Sequence, residues 1–199
     1  MSPARVARLT RVVPAVLALL LTGCSSVPGT ASEESAARTG SASPRTPAAV
    51  GRPAAPVEVE IPSIGVRSSL MELGLNTDGT VEVPPPDKGM TAGWYTGGAA
   101  PGEPGAAVII GHNDTRFGRA VFHDLKKVAK GADIVVGNSL GESARFTVTG
   151  SESVSKDSFP TDKVYGPTQE HALRLITCDG EFDAEGHPVN NLIVYATLD

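Results

Sequence analysis

The sequence predicts a mostly β domain over residues 56–199, a small barrel closed from short strands. Three observations predict it. Apolar residues recur at every second position, Gly, Pro, Asp and Ser break these runs at short intervals, and only one stretch has helical spacing. Val57, Val59 and Ile61 alternate with Glu58 and Glu60, which marks a half-buried strand stopped by Pro62. The run TDGTVEVPP (77–85) reads as a Gly-led turn, then a short strand ended by prolines. Ala107–Ile110 is continuously apolar, as in a strand buried on both faces. Ile134–Val136 and Arg145–Thr149 give two more strands joined through Gly137–Ser143, and Leu173–Thr177 and Leu192–Thr197 close the chain. Ala120–Ala129, with Phe122, Leu125 and Val128 on one face and Gly131 behind, reads as a short helix.

Residues 1–24 have a different design. Arg5, Arg8 and Arg11 precede a short apolar run, Val12–Leu21, that closes in small residues before Cys24, the order of an export signal. The run is about half the ~20 residues a transmembrane helix needs. Leu21-Thr22-Gly23-Cys24 resembles a bacterial lipobox, whose cysteine is acylated and becomes the new N-terminus. Cys24 is therefore expected to anchor the protein to the outer side of the cell membrane, since two acyl chains hold where one is marginal. Residues 25–55 carry Ser, Ala, Thr, Pro and Gly with no Leu, Ile, Met or aromatic residue, and read as a disordered tether. Such a tether spans about 30 Å on average and about 100 Å fully extended.

Three of the 17 basic residues and none of the 22 acidic ones lie in residues 1–23, which leaves the mature chain at −8. That charge argues against nucleic acid as a partner. Of the two cysteines, acylation would occupy Cys24, so Cys178 stands as an unpaired thiol in an exported protein, either a reactive nucleophile or an intermolecular partner. A buried cysteine is ordinarily a small apolar filler. Here, however, the period of two puts Arg174, Ile176 and Cys178 on one strand face and Leu173, Leu175 and Thr177 on the other, and Asp179-Gly180 follows as turn chemistry. The thiol is thus expected at a strand end.

A cysteine nucleophile needs a proton partner. His123 on the expected helix, His171 in a loop and His187 in EGHPVNN all read as surface residues. His112 follows the buried run Ala107–Ile110 and Gly111, so it too stands at a strand end, where it can face Cys178 if the two strands are neighbours. The absence of CxxC or HxxxH spacing argues against a metal site, and no cofactor is called for. A papain-like protease would place its cysteine early and its histidine far downstream, the reverse of the order here.

LITC at 175–178, with GHND beginning at Gly111, resembles the sortase cysteine transpeptidases, whose cysteine motif is TLxTC and whose histidine ends an earlier barrel strand. Arg174 stands where that motif has its threonine. EIPSIGV, GWYTGGAAPGEPGAAVIIGHND, AVFHDL, SFPTDKVYGPT and LRLITCDGEFD extend the resemblance across nearly all of residues 56–199, most of all to the actinobacterial class lettered F. The resemblance implies an eight-stranded sortase-type barrel with one or two short helices, Cys178 as nucleophile and His112 as its proton partner. It implies cleavage of an LPxTG-type sorting signal on secreted proteins through a thioester, and transfer to a cell-wall precursor or pilin amine. Sortases also carry an arginine on or just before the last strand that steadies the oxyanion, but in GHPVNN the matching position is Val189. Arg174 and Arg116 are the candidates to replace it. The alternative is a catalytically weak or inactive sortase-like barrel that binds wall or peptide ligands.

Overall fold

A computed structural model describes residues 53–186 and 188–199; the signal, Cys24, nearly all of the tether and His187 lie outside the described residues. Ten strands are present among the described residues: β1 Pro56–Ile61, β2 Val66–Leu73, β3 Ala92–Tyr95, β4 Gly105–Ile110, β5 Asp114–Thr115, β6 Gly118–Arg119, β7 Asp133–Asn138, β8 Ser143–Ser155, β9 His171–Phe182 and β10 Pro188–Leu198. Eight of them close into a barrel in the order β1-β2-β3-β4-β9-β10-β8-β7, while β5 and β6 form a separate hairpin. The only α-helix among the described residues is α1, Thr161–Tyr165.

Alternation sorts the side chains into two cores. Val59, Ile61, Trp94, Ile109, Phe146, Leu173, Leu175 and Val194 point into the barrel and pack with Phe122 and Leu125. Val108, Ile110, Ile176 and Ile193 point outward from β4, β9 and β10, and Val164 of α1 and Leu73 pack with them there. Both faces of β4 are therefore buried, as its unbroken apolar run requires.

Several sequence expectations needed correction. Residues 120–129 form turns with one 3₁₀ segment, Leu125–Lys127, in place of a helix. Phe122, Leu125 and Val128 recur every third residue, which is the 3₁₀ period. The Val121 and Phe122 amides also donate to the carbonyls of Gly89 and His112, tertiary bonds that draw the chain away from a helical start. Val81–Val83 contributes only a single bridge, Leu75 to Val81. β2 escapes the alternation rule because an inward position is polar: Ser68 is 5% exposed. Its hydroxyl accepts from the Ala92 amide at 3.0 Å and donates to the Ser69 carbonyl at 2.7 Å, which satisfies it inside. His171 is the first residue of β9, not loop, and its Nδ1 lies 2.6 Å from the Gly102 carbonyl. Asp179-Gly180 does not end β9. Asp179 pairs with Asn190 and Phe182 with Pro188, so an extra residue is accommodated in a bulge where Gly180 takes φ 84°. A Cβ there would sit 2.8 Å from Asn190 Nδ2.

Candidate active site

β4 and β9 run parallel, and every pair between them, from Gly105 with His171 to Ile110 with Ile176, has a sequence offset of 66. The Gly111 amide donates to the Ile176 carbonyl at 3.1 Å and carries the ladder one step beyond the last pair. His112 and Cys178 share the offset of 66, so they fall side by side just past the end of β4. It is β4 that gives out beside the thiol, while β9 continues. On its other flank Cys178 pairs with Asn191 of β10. Two in-register rows thus cross the outer sheet face, Val108, Arg174, Tyr195 and then Ile110, Ile176, Ile193; the same offset carried past Ile110 makes His112, Cys178, Asn191 a third, and all three of these residues line one groove.

The third row lies in a groove of about 620 Å³. Leu75, Val81 and Val83 line one side, Phe159, Thr161 and Tyr165 another, with Tyr95, Ile110 and Ile176 between. Tyr95 and Tyr165 meet edge to face with centroids 5.7 Å apart. Burial, with Tyr95 beside it, pushes the Tyr165 phenol up to about 12, so this wall stays uncharged at neutral pH. Among the described residues no carboxylate lines the groove, and Lys156 is the one lysine that does.

Cys178 and His112 are both half-buried. His112 Nε2 lies 2.6 Å from the Pro84 carbonyl oxygen. A carbonyl only accepts, so Nε2 carries the hydrogen in this bond, which leaves Nδ1 as the nitrogen free to exchange a proton. The sequence reading of 84–86 as a strand terminator missed this role; only the folded chain brings Pro84 to the imidazole.

Neither candidate arginine lines the groove. Arg174 shares the cysteine's face, as the alternation predicts, but lies two rows away with the isoleucine row between, about 13 Å along the strand. Its guanidinium sits 4.8 Å from the Tyr195 ring centroid and donates to the Leu173 carbonyl; burial lowers its pKa. Arg116 is exposed between β5 and β6, 4.8 Å from the ring of its neighbour Phe117. Val189 is 39% exposed and also outside the groove lining. His123 pairs with Asp114 at 2.9 Å. Asn191, which sequence reasoning passed over, is the residue the fold adds; its signal was its place one residue before the buried run Leu192–Val194.

A sortase-domain family model matches residues 59–199. The chain is similar to the solved structure of sortase C-1 from Actinomyces oris, at 22% identity over 72% of this chain and 73% of that one, with TM-score 0.57. It is similar to sortase A from Corynebacterium diphtheriae at 21% identity over 75% of this chain and 62% of that one, TM-score 0.55. It is also similar to group B Streptococcus pilus island 1 sortase C2, at 23% identity over 72% and 73%, TM-score 0.55. These are likenesses of fold. No curated protein matches the chain. An eight-stranded barrel with a thiol on one strand and an imidazole just past the end of its parallel neighbour fits a cysteine transpeptidase, and by its family match the chain belongs to the sortases. That family acts on proteins bearing sorting signals and on pilin subunits.

Proposed function

We propose that this chain is a cysteine transpeptidase that cuts an LPxTG-type sorting signal through a Cys178 thioester and passes the protein to a cell-wall or pilin amine. The observation that carries the reading is the shared offset of 66, which sets His112 beside Cys178 in an apolar groove free of carboxylates. The Cys178 thiolate adds its electron pair to the threonine carbonyl carbon, and the C=O π pair moves onto oxygen. Collapse of that oxyanion breaks the bond to the glycine nitrogen, which takes the proton held by the His112 imidazolium. Neutral His112 then removes a proton from the incoming amine, whose nitrogen attacks the thioester and expels the thiolate. One peptide bond is exchanged for another, and the enzyme returns to its starting state. The apolar and aromatic wall suits the Leu-Pro end of such a signal.

The class F likeness and the lipid anchor belong to the same proposal. Acylated Cys24 would hold the protein outside the cytoplasm at the membrane, with residues 25–55 as tether. The test is to incubate the protein with LPxTG peptides and look for a mass adduct on Cys178, absent from Cys178→Ala. A second reading, a barrel that binds wall or peptide ligands without catalysis, is favoured by the lack of any arginine in the groove lining among the described residues. Peptide binding with no adduct would select it.

A further inference from the structure

The row His112, Cys178, Asn191 places a different group on each side of the thiol. Attack by the thiolate creates two needs, a proton for the departing nitrogen and a hydrogen-bond donor for the carbonyl oxygen that becomes negative. His112, on the β4 side, meets the first. We infer that Asn191, on the β10 side, is the catalytic residue that meets the second, its side-chain amide donating to the developing oxyanion; the inference rests on the transpeptidase reading above.

Three observations carry it. Asn191 is the direct cross-strand partner of Cys178, and side chains so paired have Cβ atoms about 4.5–5.5 Å apart on one face. It lines the groove and is half-buried, within reach of an oxygen bound there yet partly shielded from water. Its amide is also uncommitted: Asn190 bonds to Ser153 Oγ at 3.4 Å, whereas the Asn191 side chain has no protein partner among the described residues. A side-chain amide offers two N–H donors, and as a neutral group it is easier to desolvate than a guanidinium.

The competing donors stand worse. Arg174 is two rows off, with its guanidinium against the Tyr195 ring. Thr177 borders the groove, but its Oγ1 is buried without a partner and alternation puts its side chain on the sheet face opposite Cys178. Lys156 is exposed, in the 3₁₀ turn Lys156–Ser158 that follows β8, beyond Val154, which lies on the far side of Asn191 from Cys178.

The experiment compares two reactions of Cys178 in the full chain, read by intact mass. Acetylation by phenyl acetate passes through an oxyanion; alkylation by iodoacetamide does not. For Asn191→Ala, acetylation is expected to fall at least tenfold, toward the 100- to 1,000-fold typical of one lost donor, with alkylation within about twofold of wild type. Unchanged alkylation also shows that the site is folded. Asn191→Asp should lose acetylation as deeply and move the alkylation midpoint to higher pH, because a carboxylate beside the thiolate disfavours the charged form. Wild-type acetylation in Asn191→Ala overturns the inference, as does an equal loss of both reactions, which would mark a role in thiolate formation or packing. A wild-type protein that acetylates Cys178 but forms no adduct with any LPxTG peptide overturns the substrate reading and leaves Asn191 standing. A normal peptide adduct in Asn191→Ala overturns Asn191 alone.

Discussion

Cys178 sits half-buried on the outer sheet face, with the packed Ile110, Ile176, Ile193 row behind it, so truncating its side chain removes the thiol without opening the core. Cys178→Ala is expected to abolish the peptide adduct while changing Tm by no more than about 4 °C, the equivalent of about 1 kcal/mol for a domain of this size. Unfolding of that variant by circular dichroism would instead make the thiol a packing residue. Val189 is the complementary case. Its side chain is exposed and outside the groove lining, so an arginine there starts away from the reacting carbonyl. With Asn191 supplying the donor, Val189→Arg should leave kcat/KM within about twofold of wild type; a tenfold rise would show that the oxyanion had been unserved.

At the scale of the element, α1 separates the groove from a second, polar hollow. Thr161 and Tyr165 face the groove, Val164 is buried, and Lys163 faces the hollow. Lys163 Nζ donates to Glu152 Oε1 at 2.6 Å and lies 4.6 Å from the Tyr195 ring centroid, and the Tyr195 hydroxyl donates to the same carboxylate oxygen at 2.6 Å. β8 and β10 thus hold the helix that walls the site. The Lys163 hydrogen bond, then that of Tyr195, holds the Glu152 carboxyl below its usual range. A lowered folded-state pKa contributes stability above the unfolded value of about 4.3 that is lost as pH falls through the folded value. Between pH 6 and 3 the wild type should therefore lose more denaturant stability than Glu152→Gln, by under about 1 kcal/mol because the pair is exposed. Tyr165 runs the other way. Its raised pKa contributes stability that is present below pH ~10 and lost as pH climbs through about 12, so Tyr165→Phe should flatten alkaline unfolding followed by circular dichroism.

At the scale of the whole molecule, the proposed function requires the barrel to be held near its substrates. The proposed lipid on Cys24, with residues 25–55 as tether, would meet that need, and Cys24→Ser is expected to shift the protein from the membrane fraction to the soluble one and to abolish fatty-acid labelling. Retained label on the serine variant would remove the anchor. Among the described residues no helix is long and apolar enough to cross a membrane.

The local pattern alone determined the faces on β4, on β9 and on β1 from Glu58 to Ile61, because a strand's period of two is set by its own backbone; it failed at Val57, expected on the buried face with Val59 and Ile61 but 43% exposed where the β1–β7 register shifts. It placed His112 just past a buried strand and Cys178 on the face of Ile176 for the same reason. It failed at Ser68, where a hydroxyl is satisfied inside the barrel, and at Phe122, Leu125 and Val128, whose spacing of three suits 3₁₀ turns once Gly89 and His112 take the nearby amides. It could not weigh Arg174 against Asn191 either. Both share the cysteine's face, but which residue stands level with the thiol is decided by hydrogen bonding between strands far apart in the chain. The bulge at Gly180 and the antiparallel return of β10 put Asn191, and no arginine, opposite Cys178. The strand face of the thiol was legible from its neighbours in sequence; the company it keeps came from strand register, which only the closed barrel sets.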